Sequence, residues 1–297
     1  MESPRISFYN EIKRNKRNSF LLISVVLLIL LALVYAISAV VSREYTFIIL
    51  IIGTIVSLLY VVISYYKSAD IAIKSVGAKK ASKSQFPMYH SLVEGIALAS
   101  GLPKPKLYVM EEKQINAFAS GRDPKNAVIC MTTGALAKLD KQELEGVIAH
   151  EMSHIANYDI RFMTLTAVLV GLISIISQIF LRSLWYGGGS GGGKDKSKVI
   201  FLIIAIVLAI LSPILVALVQ LAISRKREYA ADSTAVKFMR TPTGLQSALK
   251  KIQHNSEPQK KVPDAVSSLF LAKPSKSKEW FMTHPPLSKR IAKLDRM

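Results

Sequence analysis

Apolar residues in this chain fall in long unbroken runs, separated by basic polar stretches. The amphipathic helices of a water-soluble protein repeat every three to four residues and do not give this pattern. Four segments reach the roughly 18 residues needed to cross a hydrocarbon core. They are 20–41 (FLLISVVLLILLALVYAISAVV), 46–66 (TFIILIIGTIVSLLYVVISYY), 162–184, and 199–223 with Pro213 as a kink. The first is longer than the ~7–15 residue apolar core of a cleaved signal peptide, so it reads as a retained anchor. Only SREY joins the first two runs, which makes them a tight hairpin. Basic residues flank that hairpin on both sides, RISFYNEIKRNKRN before it and Lys67, Lys74, Lys79, Lys80 and Lys83 after it. Positive flanks stay on the inner side of a membrane, so both ends are expected in the cytoplasm. The last two runs are joined by the flexible stretch WYGGGSGGGKDKSK and return to the basic SRKREY.

These runs divide the chain into four parts: a cytoplasmic N-terminus and first transmembrane hairpin (1–66), a polar segment (67–161), a second hairpin with an external glycine-rich loop (162–223), and a polar C-terminal segment (224–297). The two polar segments lie on one side of the membrane and are expected to fold together. GLPKPKLYVM ends in a strand after a proline-rich turn, and INAFASGRDPKNAVICMTT reads as strand, turn at Gly121, Asp123 and Pro124, and strand. LDKQELEGVIAHEMSHIANYDI has helical apolar spacing, with Asp140 as N-cap and Glu143 three residues on.

Composition narrows the class. Hydrophobic residues make up 51% of the 297, more than a soluble core requires. A single cysteine, Cys130, excludes an intrachain disulfide framework, and its setting in AVICM makes it a small core residue. The net charge of +19 is spread over the segments outside the apolar runs. It has no interleaved aromatic motif, so it fits the inner face of a membrane protein and not nucleic-acid binding.

The chemistry is concentrated in AHEMSHI, residues 149–155. Positions i and i+4 share a helix face, so His150 and His154 can grip one ion while Glu151 takes a proton from a water on it. Two histidines leave a tetrahedral site incomplete. A metzincin-type third histidine is excluded, because the required positions hold Asn157 and Ile160. Asp159 is close in sequence but falls off the His150–His154 face by helical phase. SRKREYAADSTAVKFM offers Glu228 with Asp232 one turn on. That pair either serves a metal, with Asp232 holding a ligand imidazole, or balances Arg225, Lys226 and Arg227 at a solvated surface.

NAFA, AHEMSHI, REYAAD and THPPLSKRI occur in that order, and together they resemble the HtpX-type membrane metalloproteases, relatives of the Ste24 prenyl-protein proteases. The resemblance runs from residue 19 to the C-terminus. It implies a mainly α membrane protein with about four transmembrane helices and a cytoplasmic α+β gluzincin zinc-metalloprotease domain. It implies one Zn2+ per subunit on His150, His154 and Glu228, with Glu151 as general base and Asp232 orienting a ligand histidine. Two residues carry over by motif: Asn116 of NAFA, binding an extended peptide at an edge strand, and His284 of THPPLSKRI, donating to the oxyanion. The implied function is cleavage of misfolded membrane proteins at the cytoplasmic face of the cell membrane, as protein quality control. The partners implied are polypeptide substrates and the lipid bilayer. A prenyl-protein protease and a non-catalytic metal-binding adaptor are the alternatives, and an adaptor would not need Glu151. His90 and His254 carry no assigned role.

Overall fold

A computed structural model of the chain describes residues 8–41, 45–167, 225–254, 269–271 and 285–297. Two long helices come first, α1 (Phe8–Val41) and α2 (Thr46–Ser75). They pack along one another, and Gly53 allows it. A Cβ there would collide with the Val34 side chain. Among the described residues α2 is the one helix long and apolar enough to cross a membrane, and only 6% of its most apolar stretch is buried. Phe47, Ile52, Val56, Leu59 and Val62 all point outward. A core helix of a soluble protein would cover such side chains, so this surface is suited to lipid. Most of the two apolar runs expected at 162–184 and 199–223 lies outside the described residues.

The second run was expected to end at 66, but α2 continues as one helix to Ser75. Nothing in YYKSADIAIKS breaks a helix, and the extension has something to pack on. Ala72 and Ile73 are buried against Met110, Phe118, Val128 and Cys130 of the sheet. The end of the apolar run therefore falls inside one continuous helix.

The sheet has four strands, β1 (Lys79–Lys80), β2 (Lys106–Met110), β3 (Ala117–Gly121) and β4 (Ala127–Thr132), in the order β1-β2-β4-β3. β2 and β4 are parallel, with Lys106 opposite Val128. β3 and β4 form the antiparallel pair anticipated from the sequence, with Gly121 opposite Ala127. Asp123 caps the turn by accepting from the Asn126 amide at 2.9 Å. Gly121 sits there at φ 141°, and a Cβ would meet the Asn126 carbonyl at 2.5 Å. Cys130 is fully buried in β4, where burial raises its thiol pKa far above the reactive range.

Helices α3 (Pro87–Ser100), α4 (Thr133–Lys138) and α5 (Lys141–Ala156) follow. α5 is the central element, touching α3, β3 and the two helices nearest it in the C-terminal segment, α7 (Arg225–Met239) and α8 (Thr243–His254). Its start is fixed as anticipated. Asp140 accepts from the Glu143 amide and Glu143 accepts from the Asp140 amide, both at 2.9 Å. Glu143 also takes bonds from Lys251 at 2.6 Å and Ser247 at 2.7 Å, which pins α8 to the same turn. From Gly146 to Ala156 every residue of α5 is buried, so His150, Glu151, Ser153 and His154 are carried inside with Val147, Ile148, Ala149 and Met152. Another helix, α6, begins at 159 and is described to 167. Its Phe162 and Leu165 pack on Leu22 and Val26 of α1. The last helix, α9 (Leu287–Leu294), lies against α7 and α8.

Backbone contact between α5 and α8 depends on glycine. A Cβ on Gly146 would lie 2.6 Å from Leu245 Cα and 2.7 Å from the Gly244 carbonyl carbon. Backbone cannot rotate out of the way. Gly146→Ala is therefore expected to destabilise the protein by about 1–3 kcal/mol, although alanine favours an isolated helix by ~1 kcal/mol. Thermal unfolding in detergent measures this, and an unchanged or raised midpoint would contradict the close packing.

Candidate metal centre

The structure brings His150, His154 and Glu228 together in a buried cluster whose ligand atoms all lie within 4.8 Å of one another. His150 and His154 stack one turn apart on α5, with Nε2 atoms 3.2 Å apart. Glu228 enters from the first turn of α7. Its Oε2 is 3.5 Å from His150 Nε2 and its Oε1 3.9 Å from His154 Nε2. Ligand atoms about 2.0–2.1 Å from a tetrahedral ion sit about 3.3 Å from each other. The observed spacings are near that value.

The protons on the imidazoles make the same point. His150 Nδ1 is 3.0 Å from Asp232 Oδ1, and His154 Nδ1 is 3.0 Å from Asp159 Oδ2. A carboxylate on each Nδ1 holds a proton there and leaves both Nε2 lone pairs facing each other and Glu228. Bare lone pairs at 3.2 Å repel unless a cation lies between them. Burial and Arg290 push the His150 pKa down, but Asp232 and Glu228 outweigh them and raise it to about 9. The donor set, two imidazoles and one carboxylate, is that of a catalytic zinc site with an open fourth position.

Glu151 is buried beside His150. Burial is the largest influence on its pKa and raises it, with Glu228 adding to the effect; the two imidazoles and the Ala119 amide of β3 oppose it, and the net direction is upward. Asp232 goes the other way. Burial would raise it, but Arg290 and His150 prevail and keep it below the ordinary carboxylate range.

Two arginines complete the arrangement, and neither was picked out from the sequence. Arg290 of α9 is fully buried and forks onto Asp232, with Nε 2.9 Å from Oδ2 and Nη2 2.6 Å from Oδ1. Its Nη1 lies 3.2 Å from Glu228 Oε2. Arg227 of α7 donates from Nε to Asp159 Oδ1 at 2.8 Å. The sequence held no distinguishing sign of either, since both stand in runs of exposed basic residues.

The expectation that Asp159 points away from the histidines is corrected. Helical phase carries only as far as the helix, and α5 ends at Ala156. Tyr158 then takes a left-handed conformation, φ 58°, which redirects the chain and swings Asp159 back onto His154. Asp159 contacts the far nitrogen of His154, so it supports that imidazole.

Asn116 is buried just before β3, its side chain accepting from the Ala117 amide at 3.0 Å. β3 is the terminal strand of its sheet, as anticipated, but its outer edge is partly occupied. Leu271 donates its N–H to the Ala117 carbonyl at 2.9 Å, and Phe270 packs edge-to-face on Phe118. His284 lies outside the described residues, immediately before the buried Pro285 and six residues before Arg290.

Comparison with known proteins assigns the class. Residues 83–297 match the model of peptidase family M48. A protease HtpX homolog of Thermoanaerobacter pseudethanolicus is 43% identical over 294 residues, 98% of each chain. One from Caldanaerobacter subterraneus subsp. tengcongensis is 48% identical over 240 residues, 80% of each. Among solved structures, the S. mikatae Ste24p crystal structure resembles 90% of this chain with a TM-score of 0.50 at 19% identity. The chain covers 61% of that structure, and the likeness is one of fold. The chain belongs to peptidase family M48. It is a metalloprotease, and a membrane-associated one.

Arg290 has a measurable consequence of its own. Removing its charge leaves Asp232 and Glu228 buried without their guanidinium, and uncovering one half of a buried ion pair costs about 3–5 kcal/mol. Arg290→Met should lower metal-free stability by that amount, read from denaturant unfolding. A loss under 1 kcal/mol would mean that water reaches the carboxylates.

Proposed function

We propose that this protein is a multi-pass zinc endopeptidase that cuts polypeptides, membrane proteins among them, at the cytoplasmic face of the cell membrane as part of protein quality control. The observation that carries the reading is the convergence of two imidazoles and a carboxylate from two helices on one buried point, with Glu151 adjoining. His150, His154 and Glu228 would hold one zinc ion per subunit. When bound, the ion acidifies a water molecule and polarises the scissile carbonyl. Glu151 takes the proton from the attacking water and passes it to the leaving amine nitrogen. His284, stiffened by Pro285 and Pro286, donates to the developing oxyanion. Asn116 and the β3 edge hold the peptide extended across the site. Asp232 and Asp159 keep the ligand imidazoles in the tautomer that offers Nε2.

A helical hairpin leaves a membrane on the side it entered. The four-part layout is 1–66, 67–161, 162–223 and 224–297. In it, spans at 162–184 and 199–223 would return α7 to the face where α5 ends, letting His154 and Glu228 meet across a long gap in sequence. Basic flanks at both hairpins favour the cytoplasmic side for that face.

Glu151→Gln should retain zinc and lose cleavage of an unfolded membrane-protein substrate by ~10²–10⁴-fold, while Glu228→Ala should lose most of its zinc. Metal analysis after dialysis against a mild chelator, beside a cleavage assay on the same samples, tests both. Cleavage by Glu151→Gln at the parent rate, or full zinc in Glu228→Ala, refutes the site.

Orientation is tested separately in a Cys130→Ser background. Ser190→Cys, in the glycine-rich loop, should react with a membrane-impermeant maleimide in intact cells. Labelling only after lysis would reverse the topology.

A further inference from the structure

We propose that Asn15, on α1, is a positioning residue of the metal centre. Its side-chain amide fixes the Asp159 carboxylate that orients His154, so metal retention depends on how α1 is seated. The proposal rests on the zinc-protease reading above.

Asn15 is fully buried. Its Nδ2 donates to Asp159 Oδ1 at 2.6 Å and to the Asn157 carbonyl at 2.9 Å. Its Oδ1 accepts from Arg227 Nη2 at 3.3 Å. Arg227 in turn holds Asp159 Oδ1 at 2.8 Å, and the other oxygen of Asp159 takes His154 Nδ1 at 3.0 Å. Only an amide can donate twice, to a carboxylate and a carbonyl, while accepting from a guanidinium. An aspartate here would face Asp159 charge to charge, and an apolar side chain would leave the turn at Asn157 and one oxygen of Asp159 short of a donor. The amide therefore ties together the end of α5, the start of α6 and the first turn of α7, which are the places where His154 and Glu228 are set. α1 is also held at this level by Leu22 and Val26 packing on Phe162 and Leu165. Residues of the first and last thirds of the chain thus meet behind one ligand.

The test uses full-length protein in detergent, measuring zinc release to a chromogenic chelator and the visible spectrum of the cobalt-substituted protein. Loss of a partner behind a metal ligand typically weakens binding ~10–100-fold. Asn15→Leu should therefore release zinc at least about ten times faster and shift the cobalt bands. Asp159→Asn should do the same, and the double variant should be no faster than Asp159→Asn alone, because the first residue acts through the second. Ser19→Ala loses only a hydroxyl that donates to the Asn15 carbonyl at 2.8 Å, and should match the parent. If Asn15→Leu does not fold, the isosteric Asn15→Asp takes its place with the same expectation. Parent-like release and spectrum in the Asn15 variant, or additive effects in the double variant, overturn the assignment. Failure of the parent itself to hold zinc at Glu228 overturns the underlying reading instead, and the two failures are told apart by the parent's metal content.

Discussion

Burying two imidazoles beside four carboxylates forces a specific solution to the charge problem, and the rest of this site follows from it. A carboxylate removed from water needs a cation or several donors. Here each of the two histidines leans on an aspartate and each aspartate on an arginine: His150, Asp232 and Arg290 on one side, His154, Asp159 and Arg227 on the other. The two chains of contact run in parallel and end at two nitrogens that face the same carboxylate. Both Nδ1 atoms are held, both Nε2 atoms are aimed at Glu228, and each of the two aspartates has a partner charge. The same bonds that pre-shape the site also hold α5, α7 and α9 together at their most polar point.

That geometry tolerates little movement, which explains the close packing around α5. Glycine at 146 and 244 brings α8 against it to backbone contact, and the reciprocal caps of Asp140 and Glu143 fix where its first turn starts. β3 lies along its other side, with the Ala119 amide favouring the charged form of Glu151. Glu151 and the strand edge are thereby set beside one another by α5. Part of that edge is taken by the chain's own residues 269–271, with Leu271 on Ala117.

The two long N-terminal helices are joined to this core and not merely tethered to it. α2 runs unbroken from its apolar stretch into contacts with Phe118, Cys130 and Phe270. α1 meets α6 through Leu22 and Val26 and reaches the polar network through Asn15. Arg122 and Arg161 stack on Tyr66 and Tyr65 near the same level, the arrangement of basic and aromatic residues that suits a membrane interface.

Much of this was legible in the chain before any coordinates. Local rules suffice for apolar runs, a capped helix, a hairpin turn and two histidines one turn apart, because each depends on residues a few positions away. Asp140, Glu143, Gly121 and the His150–His154 face are of that kind. The third member of the cluster was not: Glu228 stands in a basic run where the residues alone favour a solvated acidic pair, and only the resemblance turned the reading toward a ligand. Asp159 was misjudged because the phase of a helix says nothing once Tyr158 turns left-handed. Asn15, Arg227 and Arg290 were invisible, since a buried amide or guanidinium looks the same in sequence as an exposed one. Their roles come from partners 58 to 212 positions distant. Only the folded chain, by excluding water around them, made those pairings stronger than solvation.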